Sequence, residues 1–130
     1  MRYEDDSRGV IQNRKFALQI NDFSALKFGK ITPTDIDGFM DFGNKHFVYL
    51  ETKHAGADLP YGQKLALERL CEATTKAGIK SVVIVAEHNT AGDIDVGNLL
   101  VKKYYFNGQW TNQFREITVR NAVEKFTGNS

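Results

Sequence analysis

Two carboxylates and a lysine stand where two apolar segments begin and end. Asp37 opens the segment 36–42, and Glu51 and Lys53 close the segment 46–53. Side chains alternate along a strand, so Glu51 and Lys53 share one face, roughly 6–7 Å apart. If the two segments pair as a hairpin, Asp37 comes beside them. Two carboxylates and an ammonium at a strand end favour a site for a divalent metal and a phosphate, and so phosphodiester hydrolysis.

The environment of Glu51 sharpens this expectation. The residues before it are apolar on both faces of the predicted strand, and a charge there must be solvated, paired or bound to a metal. Asp37 and Glu51 offer oxygen ligands for Mg²⁺ or Mn²⁺, and Lys53 could hold a phosphate oxygen or orient the attacking water. The alternative is a pair of solvated charges, Glu51 and Lys53, at a strand end. The position of Asp37 on the paired segment favours the site.

The elements that must position these residues follow from periodicity and turn signals. Gly43-Asn44-Lys45 predicts a tight turn between the two segments, and Asn107-Gly108 predicts a second hairpin. The β-branched run before residue 87 predicts a strand buried on both faces, which a crossover helix would join to 46–53 as a right-handed βαβ unit. The predicted elements are strands 36–42 and 46–53, helix 61–77, strands 79–87, 99–106 and 109–114, and a last helix opened by Thr118.

These elements predict an α/β (α+β) fold, in which helices flank a central mixed sheet that ends in a β-hairpin and a helix. The 130 residues indicate a single domain, 1–130, with a loose arm over 1–14. A net charge of +1 excludes a broadly basic nucleic-acid coat. A single cysteine and the lack of an apolar leader or membrane span favour a cytoplasmic protein that does not contact membranes.

Asp37 followed by Glu51-Thr52-Lys53, with thirteen residues between the two acids, resembles the D…(D/E)xK signature of the PD-(D/E)xK nuclease superfamily. The resemblance covers roughly residues 30–87 and includes the order hairpin, crossover helix, strand. It implies a restriction-endonuclease-like core and a metal-dependent deoxyribonuclease of the small phage-type, Holliday-junction-resolvase-like or RecB-like kind. Such an enzyme would be an endonuclease of recombination, repair or phage DNA processing. A nuclease-fold protein that binds nucleic acid without cutting it is the alternative.

The sequence departs from the family pattern at two places. Ile36 stands where the family has its proline, which leaves Asp35 as a rival to Asp37. No acid of the polar arm takes the role of the additional N-terminal ligand found in many members. Gln63 resembles a glutamine of the RecB-like branch that contacts the site, which makes it a further catalytic candidate. Its alternative role is that of a polar residue in a first helical turn.

DNA is the expected partner, and basic and aromatic side chains outside the motif could contact it. Their alternative roles are ordinary surface lysines and strand aromatics. A homodimer through the edge of the 102–114 hairpin would let a small subunit cut two strands. The candidate contacts are Arg14, Lys15, Lys102, Lys103, Arg115 and Arg120 for phosphates, and Tyr104, Tyr105 and Trp110 for bases.

Overall fold

A computed structural model describes residues 19–130, so the arm predicted over 1–14 lies outside the described residues. Contacts divide the chain after Pro33 into two compact units. In the described part of the first unit, the Asp22 carboxylate accepts the Ser24 amide at 3.0 Å where a short 3-10 turn begins. The expectation of one domain over 1–130 stays a prediction.

The second unit, Thr34–Ser130, is built on one five-stranded sheet. Its strands lie in chain order, and only β2 and β3 run parallel, while the other neighbouring pairs are antiparallel. This arrangement confirms the predicted mixed sheet flanked by helices. The elements are β1 (Gly38–Asp41), β2 (His46–His54), α1 (Tyr61–Lys76), β3 (Lys80–His88), β4 (Leu100–Phe106), β5 (Gln109–Thr111) and α2 (Val119–Thr127).

Both predicted hairpins form, and both turn on residues with positive φ. Gly43 and Asn44 have φ of 64° and 62°, and Asn107 and Gly108 have φ of 51° and 79°, as the twist of a tight hairpin requires. The Asp41 carboxylate accepts the Asn44 amide at 2.8 Å and fixes the first turn. The second hairpin is shorter than predicted, because β5 ends at Thr111 and not at residue 114.

The predicted βαβ unit is confirmed by α1, which connects β2 to the parallel strand β3. Leu67 and Cys71 bury the inner face of α1 against the sheet. Leu70 is an exposed residue, because it lies beside the buried stripe of α1 and not on it. Gly78, with φ of 96°, follows the end of the helix in the left-handed conformation that glycine favours.

The two faces of the sheet carry separate cores. On the α1 side, Tyr49, Val83 and Val85 of the central strands pack against Leu67 and Cys71. The core on the α2 side includes Val48, Val82, Ile84, Ala86, Val101, Val119 and Val123. The predicted cap of α2 is confirmed, since the Thr118 hydroxyl accepts the Asn121 amide at 3.2 Å.

A register shift interrupts the pairing of β3 with β4. Val85 lies opposite Lys103, but the next residue of β3, Ala86, lies opposite Val101, so Lys102 is an extra residue in β4. The sequence carries no visible sign of this bulge. Lys102 donates to the Ala57 carbonyl at 3.3 Å, and Lys103 pairs with the Asp58 carboxylate at 3.1 Å. The two lysines therefore hold the loop that leads from β2 into α1.

Candidate active site

Glu51 is a buried carboxylate near the end of β2, with only 1% of its surface exposed. It lies on the α1 side of the sheet, two residues after Tyr49. Its Oε2 accepts the backbone N–H of Asp37 at 2.8 Å, and its Oε1 accepts Nε2 of Gln63 at 2.7 Å. Both donors are neutral, so the hydrogen bonds orient the carboxylate without balancing its charge.

Burial raises the pKa of Glu51, and this effect outweighs the others that act on it. The nearby Asp37 charge also raises this pKa, whereas the hydrogen bonds from Asp37 and Gln63 and the charge of Lys53 lower it. A positive ion placed beside the carboxylate would favour its charged form. The charges at this site therefore favour the binding of a cation beside Glu51.

Asp37 is attached to the end of β2 through both its backbone and its side chain. While its amide donates to Glu51, its Oδ2 accepts the Thr52 amide at 2.8 Å and the Thr52 hydroxyl at 3.2 Å. The predicted strand 36–42 is corrected here. Because the Asp37 amide bonds to a side chain and not to the ladder, β1 starts at Gly38. The backbone of Asp37 nevertheless contacts the Glu51 carboxylate, so the two residues are neighbours at the end of β2.

Asp35, the rival acid, contributes its backbone to the same place. Its carbonyl accepts Nε2 of Gln63 at 3.1 Å. Among residues 19–130, its carboxylate forms no hydrogen bond or salt bridge with another group. Asp37, with its carboxylate fixed by Thr52, is therefore the better-positioned acid beside Glu51.

Lys53 follows Glu51 by two residues on the same face and is half-buried. Its partner across the sheet is Glu87, but the Glu87 carboxylate instead pairs with Lys102 at 3.3 Å and accepts the Gly56 amide at 3.3 Å. Within the described part of the chain, no carboxylate lies within salt-bridge distance of Lys53. With respect to these residues, its ammonium can reach an anionic ligand without first breaking an ion pair.

Gln63 joins three segments through one amide. It lies in the first turn of α1 and uses Nε2 for both the Glu51 carboxylate and the Asp35 carbonyl. The contact with Glu51 was expected from the sequence only by resemblance. Gln63 holds the Glu51 carboxylate in place by this hydrogen bond, which makes it a positioning residue.

Some candidate DNA contacts are engaged elsewhere. Tyr105 is buried in the α1-side core and donates its hydroxyl to Glu72, and the Trp110 indole donates to Glu68 at 2.6 Å. The prediction that Tyr105 stacks on bases is therefore wrong, because its ring is buried. Stacking by Trp110, which is half-buried, stays a prediction. Of the remaining candidates, Arg120 pairs with its helix neighbour Glu124, and Arg14 and Lys15 lie outside the described residues.

Among residues 19–130, two acids of this site, Asp37 and Glu51, could hold a metal. In the part of the chain that the structure describes, no group of three or more histidine, cysteine, aspartate or glutamate side chains is placed to bind a metal ion. Mg²⁺ in phosphate-binding sites often uses one or two carboxylates and completes its shell with water and substrate oxygens. The pair fits this type of site, because Glu51 is a buried carboxylate held only by neutral donors.

Comparisons with known proteins do not place the chain in a family, because no family description, curated protein or solved structure matches it. Among the described residues, no helix is both long and apolar enough to span a membrane. The case for a function therefore rests on the residues of the site and on the motif they form.

Proposed function

We propose that this protein is a divalent-metal-dependent deoxyribonuclease that hydrolyses phosphodiester bonds. One observation carries the proposal. Glu51 is a buried carboxylate beside a second acid, Asp37, with neutral hydrogen-bond donors around it and Lys53 on the same face. Burying a carboxylate in this way is unfavourable without a ligand. A metal ion would supply positive charge beside the two acids, and a phosphate would supply negative charge beside Lys53.

The roles of the residues follow from their contacts. Asp37 and Glu51 would hold Mg²⁺ or Mn²⁺, which, when bound, lowers the pKa of a coordinated water and offsets negative charge on phosphate. Lys53 would hold a phosphate oxygen whose charge grows in the transition state. Gln63 and Thr52 keep the two carboxylates in place by hydrogen bonds to Glu51 and Asp37. The side chains of the protein thus orient the metal and the phosphate and supply the charges that bind them.

The order of the elements supports the same proposal. The motif Asp37…Glu51-Thr52-Lys53 resembles the PD-(D/E)xK signature, and its acids lie on a hairpin that is followed by a crossover helix and a parallel strand. That is the order expected of the superfamily core. The resemblance favours DNA as the substrate and an endonuclease of recombination, repair or phage DNA processing.

The test is cleavage of labelled duplex, single-stranded, flap and four-way-junction DNA with Mg²⁺, Mn²⁺ or EDTA. The variants Asp37→Asn, Glu51→Gln and Lys53→Met should each lose metal-dependent cleavage and stay folded. Glu116→Gln, which removes an exposed carboxylate, is the matched control and should cleave normally. Wild-type activity in Glu51→Gln, or no cleavage by the wild-type protein on any substrate, would contradict the proposal.

A second candidate is a nuclease-fold protein that binds nucleic acid without cutting it. The observation that favours it is the count of only two carboxylates in the described site. This candidate predicts salt-sensitive DNA binding, with no product in Mg²⁺ or Mn²⁺. The cleavage experiment separates the two candidates directly.

The assembly and location belong to the same proposal. A homodimer in the cytoplasm, joined at the β4–β5 hairpin, would place two sites on one DNA molecule. β5 has three residues and lies at one edge of the sheet, where its outer backbone groups can meet a second copy. Light scattering that gives the mass of one chain at working concentration would contradict the dimer.

A further inference from the structure

The α1 side of the sheet ends in an exposed aromatic ring next to the candidate active site. Phe39, in the edge strand β1, lies opposite Tyr49 and has half of its surface exposed. α1 packs over β2, β3 and β4, and its side chains bond to Tyr105 and Trp110 on the far half of the sheet. The ring of Phe39 lies beyond the cover of this helix.

Two aromatic neighbours fix the position of this ring. The Phe39 and Phe47 rings meet edge to face with centroids 4.9 Å apart, and the Phe39 and Tyr49 rings are 5.4 Å apart. Such pairs contribute about 0.5–1.5 kcal/mol beyond the burial of their surface. A ring held in this way, with half of its surface exposed, loses little side-chain freedom when it binds a ligand.

The ring is also close to the two acids of the site. Phe39 is two residues from Asp37, at most about 7 Å along the chain, and its cross-strand partner Tyr49 is two residues from Glu51. That separation is comparable with the size of a nucleotide. A substrate with its phosphate at the acids therefore has an adjacent base within reach of the ring.

We propose that Phe39 is the stacking platform for an unpaired nucleobase beside the scissile phosphate, an inference that rests on the proposed function. A base in a duplex has both faces covered by its neighbours, so only an unpaired or extruded base can use the ring. The protein would therefore prefer single-stranded, flap or junction DNA to continuous duplex. Lys102 and Lys103 are not part of this subsite, because both hold the loop before α1.

The test measures binding without metal, so that it does not depend on cleavage. The probe is a single-stranded oligonucleotide that carries 2-aminopurine, whose fluorescence changes on stacking, and it is titrated in EDTA against a duplex of the same sequence. Stacking of one base contributes about 1–3 kcal/mol, so Phe39→Leu should weaken single-strand binding roughly 5- to 150-fold and leave duplex binding within about twofold. Phe39→Trp keeps a ring and should bind like wild type.

Met40→Ala is the matched control. Met40 follows Phe39 in the same strand, is 38% exposed and points to the opposite face, so its loss should leave both affinities unchanged. Single-strand binding by Phe39→Leu equal to that of wild type would overturn the inference, and so would an equal loss on duplex. No detectable single-strand binding by the wild-type protein would also overturn it. Loss of stacking in Phe39→Leu with no cleavage by the wild-type protein would support the subsite and refute the nuclease.

Discussion

Replacement of Glu51 by glutamine in the metal-free protein should remove one pH-dependent part of its stability. Glu51 is 1% exposed and receives hydrogen bonds only from the Asp37 amide and the Gln63 side chain. Burial raises its pKa in the folded protein above the ordinary value near 4.5. The folded state therefore binds this proton more tightly than the unfolded chain does.

The sign and size of the effect follow from this difference. The contribution of Glu51 to the free energy of unfolding is fully present below pH 4.5 and is lost as the pH rises through the higher folded-state pKa. A difference of one bound proton changes the free energy of unfolding by at most about 1.4 kcal/mol per pH unit. Glutamine cannot titrate, so Glu51→Gln loses this slope. It also places an NH₂ against one of the two donors, which costs about 1 kcal/mol at every pH.

The assay is urea unfolding in EDTA at a series of pH values from 4 to 8, followed by the fluorescence of Trp110, the single tryptophan. Wild type should lose stability relative to Glu51→Gln as the pH rises above 4.5. Groups that do not interact with Glu51 contribute equally to both curves. Parallel curves for wild type and Glu51→Gln would refute the claim that burial of an unbalanced carboxylate dominates this site.

Three further perturbations test the site and the core. Lys53→Met should lower kcat for DNA cleavage roughly 10²- to 10³-fold, with the free energy of unfolding within about 1 kcal/mol of wild type; an unchanged kcat would remove Lys53 from the site. Leu67→Ala should lower the free energy of unfolding by about 2–5 kcal/mol in urea titrations, because Leu67 is fully buried between α1 and the sheet; a loss below 1 kcal/mol would contradict that packing. Burial raises the pKa of Cys71 to about 11, so iodoacetamide at pH 8 should alkylate it far more slowly in the native protein than in urea, and equal rates would contradict its burial.

Local signals in the sequence were sufficient for most of the fold. Glycine and asparagine dictate the hairpin turns at Asn44 and Asn107, because those positions need positive φ. The uninterrupted β-branched run identifies β3 as the buried centre of the sheet, and Thr118 marks the start of α2. Each of these features depends on neighbours in the chain, which is why sequence patterns could predict them.

Features that depend on contacts across the sheet were not predictable in this way. Thr52 fixes the Asp37 carboxylate, but strand alternation places its side chain on the face away from Glu51, and so it was not expected at the site. Tyr105 and Trp110 look like surface aromatics until Glu72 and Glu68 reach them from α1. The position of Phe39 opposite Tyr49, and so near Glu51, also emerges only when the hairpin register is known.

The extra residue in β4 divides this strand into two halves of opposite phase. Val101 and Tyr105 are four positions apart and would share a face in a regular strand, yet Val101 belongs to the α2-side core and Tyr105 to the α1-side core. Deleting Lys102 would restore regular alternation and move the side chains of one half of the strand to the opposite faces of the sheet. Length changes of a single residue are therefore tolerable in the connection 89–95 but not within β4, so insertions and deletions among descendants of this chain should collect in that connection.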